Sequence, residues 1–493
     1  MPNNRSIPLL FSCLAALHVF VFSAAFPFFS VVDEQVHLDL VVHYSEADIP
    51  RTLTPPTVNA LPYIVIYGTP EYLFAPASFP DAVIPPPPWK QPMQTVRDKL
   101  AVKMNDYRAV FKNHEASQPP LYYALAGAWW HGGKMLGFDG GQLLYWLRFM
   151  NVLVVVAAVW LGWLAARRLF PENAFVQCAV PAFIALMPQT SFYSINNDAM
   201  APLTFGLLFL AFMKFYSAEV PAVKQGLAVG LAFAAAYLTK TSNLPLLAVT
   251  VLFLVFRIFK LLRQNKFSSA SAPVAILVVT AGVPVAAWMV WCKKNFGDLT
   301  GSSVKIQFLN WGDKPFAEWF HHPIFSLHGF WYFLSRNLST FWQGEFLWQG
   351  QPLAIADLDR FYVGFTLFVL LVTVVVVYLR GATLAAPQRT AIWFGLMCFA
   401  AMLAFFALLS VKYDFRDCFY PSTALPYFVS GRLMLGLLVP FFLMVALALD
   451  RLLGKSPPAL KFTVLGLLLA FMLVSEITVD WKIFPNPYNW YHM

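Results

Sequence analysis

Residues 361–379 read FYVGFTLFVLLVTVVVVYL and contain no charged side chain. A helix that crosses a bilayer needs about 20 mainly apolar residues. The first such stretch, 8–30, is too long for the apolar region of a signal peptide, which has about 7–15 residues, and is predicted to be an anchor. The sequence predicts eleven spans in all, at 8–30, 143–166, 175–192, 199–217, 225–240, 244–262, 273–292, 361–379, 391–411, 433–449 and 462–479.

The composition points to the same class of protein. Hydrophobic residues make up 59% of the 493 residues and charged residues only 12%, whereas soluble domains average roughly 25% charged residues. A soluble chain of this kind would expose large apolar patches, so a cytosolic enzyme and a disordered protein are both excluded. The five cysteines have no paired spacing, so neither a disulfide framework nor a zinc site is predicted. The expected fold is an all-α polytopic membrane protein.

Basic residues in the short loops set the predicted orientation. With the N-terminus in the cytoplasm, every predicted inner loop carries at least two basic residues, such as Arg167 and Arg168. This is the positive-inside pattern. The chain is then divided into an N-terminal transmembrane module at 1–292, an extracytoplasmic loop at 293–360 and C-terminal helices at 361–493.

The N-terminal module contains a second long outer segment, 31–142. Within it, 34–46 is expected to form a helix with an acidic first turn. Residues 119–136 are expected to form an interfacial or re-entrant helix, interrupted at Gly132-Gly133. Long loops in compact proteins usually carry function.

The first polar cluster follows span one. Asp33 and Glu34 lie four and three residues before His37, so these side chains can share one helix face. A carboxylate held against apolar surroundings gains basicity by desolvation, which suits a general base. The same residues also suit the acidic first turn of an ordinary helix.

Two further clusters contain amides and tyrosines. Gln118, Tyr122 and Tyr123 flank the Pro pair at 119–120 and could line a sugar pocket, or simply begin an interfacial helix. Asn197 and Asp198 form a predicted tight loop between spans three and four. They could contact a substrate or a cation, or make an ordinary Asn/Asp turn.

Two cationic side chains lie at the outer ends of spans. Lys240, with Asn243 nearby, follows span five, and Arg432 precedes span ten. Either could bind a lipid phosphate, and Arg does so through a planar fork. Either could also extend from the membrane to the interface as an isolated side chain. All of these clusters fall on the same predicted side, although the loop charges alone determine the predicted orientation.

Chemistry on an outer face requires a donor that arrives through the membrane, because nucleotide-sugars and ATP are cytoplasmic. A polyprenyl-phosphate sugar meets this requirement. A carboxylate would deprotonate the acceptor hydroxyl and cations would stabilise the departing lipid phosphate. A single displacement of this kind predicts inversion at the anomeric carbon.

At these residues the chain resembles the GT-C superfamily of integral-membrane glycosyltransferases. This superfamily includes protein O-mannosyltransferases and lipid A aminoarabinose transferases, and the match is best to a bacterial branch of predicted membrane proteins. The motifs that carry the resemblance are Asp33, Glu34 and His37; Gln118 to Tyr123; Asn197 and Asp198; Lys240 and Asn243; and Gly431 and Arg432.

The resemblance implies a GT-C-like bundle of about 11 transmembrane helices in a bacterial plasma (inner) membrane, with its site facing the periplasm or cell exterior. Asp33 is implied as the base, with Glu34 as its neighbour or substitute. Arg432 and Lys240 are implied to bind the donor phosphate. The residues expected to bind substrate are His37, Gln118, Tyr122, Tyr123, Asn197, Asp198 and Asn243.

The implied partners are a polyprenyl-phosphate-linked sugar, membrane lipid, and a glycan, lipid or protein acceptor; no nucleic acid is expected. The resemblance leaves a divalent cation, Mg²⁺ or Mn²⁺, open, since some GT-C enzymes use one and others do not. His37, Asp39 and Asp198 are the residues that could join such a site.

Two other functions stay open. A transporter or flippase of lipid-linked saccharides would use the same pocket without a base, although no matching halves with broken helices are visible in the sequence. A non-catalytic assembly subunit would bind a partner through the aromatic-rich segment 293–360. Tryptophans of that segment could instead cover the acceptor, namely Trp311, Trp319, Trp331, Trp342 and Trp348.

Overall fold

The computed structural model describes residues 5–380, 383–418 and 421–493. These residues form an all-α protein whose only strands, within these ranges, are two short antiparallel pairs, Gly312–Asp313 (β1) with Tyr413–Asp414 (β4) and Leu347–Trp348 (β2) with Gln351–Pro352 (β3). The α-helices are α1 (Ser6–Ala25), α2 (Glu34–Ser45), α3 (Leu61–Tyr67), α4 (Met93–Val110), α5 (Pro120–Met135), α6 (Gly140–Leu169), α7 (Ala174–Ala185), α8 (Ala201–Ser217), α9 (Val223–Thr239), α10 (Leu244–Arg263), α11 (Phe267–Phe296), α12 (Ser302–Phe308), α13 (Phe316–Trp319), α14 (Leu327–Gln343), α15 (Ala356–Arg380), α16 (Ala386–Lys412), α17 (Leu438–Leu453) and α18 (Pro458–Asp480).

The spans predicted from the sequence correspond to these helices. In the described part of the chain, nine segments are long and apolar enough to cross a membrane, and α7 and α9 are shorter apolar helices. Each predicted span matches one of these eleven, so the prediction of an all-α polytopic membrane protein is confirmed. Predicted span 175–192 is too long, because α7 ends at Ala185 and a 3-10 turn follows at Thr190–Tyr193. Pro188 and the polar Gln189 lie between these two elements.

The core of the bundle lies around α17. In the segment Gly431–Leu453, 89% of the most apolar window is buried, against 11% for Phe267–Phe296, which contains α11. The latter helix therefore lies at the periphery, where it packs against α9. Gly230 of α9 allows this close approach, since a Cβ there would lie 2.0 Å from Oγ1 of Thr280.

Residues 26–139 and 297–355 pack at one end of the bundle, which we call the loop end. Val31 and Phe346 join the two loops through an isolated antiparallel bridge, and the β1–β4 pair ties the second loop to the end of α16. Because the second loop contacts both halves of the chain, the structure does not separate it as an independent unit. The division at 292 and 360 stays a prediction.

The predicted helix at 34–46 is confirmed as α2. The predicted interruption at Gly132-Gly133 is wrong, because α5 runs continuously from Pro120 to Met135. Gly133 allows close packing rather than a break in the helix, because a Cβ there would lie 2.4 Å from Cδ1 of Trp146. The helix packs against α2 and α6.

A buried ion pair fixes where α1 ends and α2 begins. Arg148 of α6 donates from Nε and Nη2 to the two carboxylate oxygens of Glu34, both at 2.7 Å, and neither side chain is exposed. The guanidinium also donates to the carbonyls of Ser23, Phe26 and Pro27. The Glu34 carboxylate further accepts hydrogen bonds from the backbone N–H groups of residues 29 and 195. Every side-chain group of this pair is therefore satisfied without water.

Replacing Glu34 with Gln is expected to destabilise the fold by about 3–5 kcal/mol, because it leaves the buried Arg148 guanidinium without a counter-charge. Thermal unfolding of the purified protein in detergent measures this loss. The control is Glu219→Gln, whose ion pair with Lys266 is solvent-exposed and should change the unfolding temperature little. Equal unfolding temperatures for both variants would contradict a structural role for the buried pair.

Candidate functional site

A cavity of about 1180 Å³ lies at the loop end. Ligand pockets usually have about 300–1,000 Å³, so this volume is enough for more than one small group. The cavity wall includes one side of α14, the end of α16 and residues 344–347 and 350–354. Five of the site residues predicted from the sequence line it, namely Asp33, His37, Gln118, Lys240 and Arg432.

Arg432 connects three carboxylates that are distant in sequence. Its Nε donates to Glu345 at 2.7 Å, Nη1 to Asp198 at 2.6 Å and Nη2 to Asp33 at 3.1 Å. The residue is 7% exposed. It follows Gly431, where a Cβ would lie 1.9 Å from the backbone oxygen of Asn337 on α14. The absence of a side chain at 431 therefore brings the turn against α14 and the guanidinium into the cavity.

Lys240 continues this network on the other side of Asp198. Its ammonium pairs with the Asp198 carboxylate and donates to Oδ1 of Asn197 at 3.0 Å. The Asn197 amide in turn donates to Oε1 of Gln118 at 3.0 Å. Burial lowers the pKa of Lys240, and although Asp198 opposes this effect, the nearby Arg432 adds to it.

Asp33 occupies an unusual backbone conformation. It has φ 67° and ψ 4°, the left-handed region, directly before the first residue of α2. Non-glycine residues rarely adopt this conformation, although Asp tolerates it better than most. The turn directs the Asp33 carboxylate into the cavity while Glu34, the next residue, lies in the core against Arg148.

The Asp33 carboxylate is compensated rather than isolated. Burial alone would raise its pKa, but the hydrogen bond and charge of His114, together with Arg432 and Lys305, hold the pKa well below its usual value. The His114 Nε2 atom lies 3.4 Å from Asp33 Oδ1. The expectation that desolvation makes Asp33 more basic is therefore wrong for this arrangement, because cations have replaced the lost solvent.

A second ion pair lies beside Asp33. Lys305 of α12 pairs with Glu115, whose pKa falls to about 2: burial would raise it, but Lys305 and His114 outweigh that effect. The pKa of Lys305 is raised, since Glu115 and Asp33 together outweigh its burial. No motif in the sequence marks His114, Lys305 or Glu345 as site residues.

The side chains of Asp33, His114 and Glu115 also form a group that could hold a metal ion, with ligand atoms all within 4.8 Å of one another. Two carboxylates and one imidazole are suitable ligands for a divalent cation. This group contains none of the three residues that the sequence suggested for such a cation, namely His37, Asp39 and Asp198. Lys305 would have to release Glu115 for such an ion to bind.

Asp39 and His37 have other partners. The Asp39 carboxylate accepts from the backbone N–H of Thr57 at 2.8 Å and from the Asn113 side chain at 2.8 Å. His37 Nδ1 lies 2.7 Å from the hydroxyl of Tyr123. Burial lowers the pKa of His37 to about 4, so its ring is neutral near pH 7.

Six predicted site residues do not line the cavity. Tyr122 and Tyr123 are 1% and 0% exposed because the face of α5 that carries them is packed within the protein, so neither ring is open to stack on a sugar. Asn243 donates to the carbonyl of Ala236 at 2.8 Å and stabilises the α9–α10 connection. Glu34 is enclosed with Arg148, and Asn197 and Asp198 form a second layer that positions Lys240 and Arg432. Among the five tryptophans named above, Trp311 is the one that lines the cavity.

Charged side chains lie close together at the site. Four carboxylates, those of Asp33, Glu115, Asp198 and Glu345, lie among three permanent cations, Lys240, Lys305 and Arg432, and the imidazole of His114. Buried polar atoms at the cavity also lack hydrogen-bond partners within the described chain, namely Thr190 Oγ1, Ser242 Oγ, Trp311 Nε1, Gln343 Nε2 and Glu345 Oε1. Buried polar groups are normally satisfied, so these atoms point to water or a polar ligand.

These features define a polytopic membrane protein with a cavity at one end of its bundle. The cavity is lined by charged side chains and by buried polar atoms that lack hydrogen-bond partners in the described chain. The chain belongs to the predicted membrane protein (DUF2142) family, whose model matches residues 16–414. Among solved structures, it is similar to the crystal structure of ArnT from Cupriavidus metallidurans bound to undecaprenyl phosphate, with a TM-score of 0.44 and 13% sequence identity, over 98% of this chain and 74% of that chain. No curated protein matches the chain.

Replacing Gly431 with Ala is expected to destabilise the protein by about 1–3 kcal/mol, because the new methyl group overlaps the backbone of α14 and displaces the turn that carries Arg432. Thermal unfolding measures the effect. Gly466→Ala is the matched control, since a Cβ there meets no atom within 4 Å. If Gly431→Ala unfolds at the wild-type temperature, the close approach does not constrain the turn.

Proposed function

We propose that this chain is a membrane glycosyltransferase of the GT-C type, which moves a sugar from a polyprenyl-phosphate donor to an extracytoplasmic acceptor. The observation that carries the proposal is the placement of Asp33, Lys240 and Arg432 on one cavity, although they come from distant parts of the chain. A carboxylate beside two cations is what proton removal and phosphate departure require together. The membrane would be a bacterial inner membrane, with the loop end outside.

The cations support a phosphate at the Arg432 side of the cavity. A guanidinium has five N–H donors, and the contacts to Glu345, Asp198 and Asp33 use three of its nitrogen atoms once each. N–H donors of Arg432 therefore remain for phosphate oxygens. Lys240 lies nearby, because its ammonium pairs with Asp198, one of the three carboxylates that Arg432 contacts. Phe405, Leu408 and Leu409 of α16 form an apolar part of the cavity wall, which suits the first isoprene units of a lipid tail.

The low pKa of Asp33 shapes the proposed mechanism. A donor phosphate that accepts the remaining N–H groups of Arg432 places negative charge next to Asp33, so donor binding raises the pKa of Asp33. Asp33 then becomes a better base only when the donor is present. It accepts the proton of the acceptor hydroxyl as that oxygen bonds to the anomeric carbon, and the lipid phosphate leaves with the electron pair of the broken C–O bond. The acceptor attacks from the side opposite the leaving phosphate, so the configuration at the anomeric carbon is inverted.

A divalent cation bound by Asp33, His114 and Glu115 would add electrophilic stabilisation of a phosphate. The residues of this chain would hold the ion and exclude bulk water from it. The proposed function holds with or without such an ion, because the phosphate contacts are assigned to Arg432 and Lys240.

Asp33→Asn is expected to lower the rate of sugar transfer by about 10²–10⁴-fold, because the amide cannot accept the acceptor proton. Transfer from a radiolabelled polyprenyl-phosphate sugar to the membrane fraction measures the rate. Binding of undecaprenyl phosphate should be retained or tightened, since the neutral amide places no negative charge next to the phosphate. Asp313→Asn, at an exposed position of the loop end, is the control. Wild-type transfer by Asp33→Asn would remove Asp33 as the base.

Arg432→Ala is expected to weaken binding of undecaprenyl phosphate roughly 10- to 100-fold, because charge-assisted hydrogen bonds to the phosphate are lost. Titration of the lipid in detergent, followed by native mass spectrometry, measures this affinity. Arg432→Lys keeps a charge among the three carboxylates and should give an intermediate affinity, which separates binding from folding. Arg416→Ala, an exposed arginine at the same end, is the control. Unchanged affinity in Arg432→Ala would place the phosphate elsewhere.

A further inference from the structure

The cavity has a second charged part that the proposed chemistry does not use. It lies between α15 and α18 and is lined by Asp359, Glu476 and Asp480, with Arg336 of α14 also on its wall. We call it the acidic arm. One turn deeper in the bundle, the hydroxyl of Tyr362 lies 2.6 Å from Oγ of Ser475, and this contact joins the two helices beneath the arm.

Two of the three carboxylates already have partners. Glu476 binds His18 Nε2 at 2.6 Å and accepts a hydrogen bond from the hydroxyl of Tyr193. Asp359 lies 3.7 Å from Nη1 of Arg336. These contacts explain Glu476 and Asp359 as parts of the fold.

Asp480 has no such explanation. It is 4% exposed and lines the cavity, yet its carboxylate makes no hydrogen bond or ion pair with any residue in the described ranges. It stands at the N-cap position of the helical turn Trp481–Ile483 but does not cap it. The charged neighbour that acts on it is Glu476, of the same sign. A buried carboxylate without a partner is costly in its ionised form, and a ligand that supplies positive charge would stabilise that form.

The acidic arm is continuous with the Arg432 side of the cavity. Arg336, Thr340 and Gln343 lie on one side of α14 and all line the cavity. The Nε2 atom of Gln343 is buried and has no partner in the described chain. A molecule held at Asp480 could thus extend along α14 towards Asp33.

We propose that the acidic arm binds a protonated amino group, and that the acceptor of the transfer is an amine-bearing molecule such as an amino sugar. The assignment of this molecule as the acceptor rests on the proposed function, whereas the amine-binding site itself does not. An ammonium group carries three donors and one positive charge. It would pair with Asp480, while Gln343 would donate to an oxygen of the same molecule.

The test uses the full-length protein in detergent and two probes that differ only in the amine, D-glucosamine and D-glucose. Saturation-transfer NMR titrations give the dissociation constant of each. Wild type should bind glucosamine more tightly than glucose, and Asp480→Asn should weaken glucosamine binding roughly 10- to 100-fold without changing that of glucose. Asp357→Asn is the matched control, because the Asp357 side chain is on α15, is 86% exposed and pairs with Arg360 outside the cavity.

Asp359→Asn is the second variant if Asp480→Asn does not fold, and it should weaken glucosamine binding in the same direction. Equal affinity of wild type for the two sugars, or an unchanged glucosamine affinity in a folded Asp480→Asn, overturns the inference. Sugar binding and sugar transfer are measured separately. A glucosamine site in a protein without transferase activity would therefore reject the proposed function alone, and transfer without amine selectivity would reject this inference alone.

Discussion

The site depends on the ion pair between Glu34 and Arg148. Because the guanidinium binds the carbonyls at the end of α1 as well as the carboxylate at the start of α2, it fixes the turn between these helices in a water-free environment. Breaking such a pair costs more than forming it gains, since the remaining charge stays buried. The position of Asp33 follows directly, as it is the residue between that turn and Glu34. The Glu34 carboxylate thus fixes the backbone, whereas the Asp33 carboxylate faces the cavity.

A second constraint is the ratio of charges around Arg432. Three carboxylates share one guanidinium, so an anion that enters brings its negative charge next to carboxylates that are already bound. These carboxylates then become more basic, so their protonation depends on what the site holds. The low pKa of Asp33 is therefore compatible with its proposed role as a base, provided that the two protonation properties belong to different stages of the proposed reaction. The excess of carboxylates also gives a cation, whether a metal or an ammonium group, an electrostatic reason to enter.

The sequence predicted the spans well because membrane crossing depends on local apolar length, which is visible in residues such as 361–379. It also predicted that Asp33, Lys240 and Arg432 lie on one side, since the topology follows from the loop charges. It could not predict that Glu34 turns away from its neighbour, because this depends on an arginine 114 positions later. Nor could it find Lys305, Glu345 or Asp480, whose relevance arises only from contacts between distant loops and helix ends. Tyr122 and Tyr123 were misjudged for a related reason: an aromatic residue near an interface is equally suited to packing.

The left-handed conformation of Asp33 has a consequence for how this family can change over time. Glycine would adopt the same backbone angles without steric cost and would relieve roughly 1 kcal/mol of strain. Glycine would also remove the carboxylate that pairs with Arg432 and His114. A descendant that exchanged this aspartate for glycine would therefore gain an easier backbone turn and lose a counter-charge.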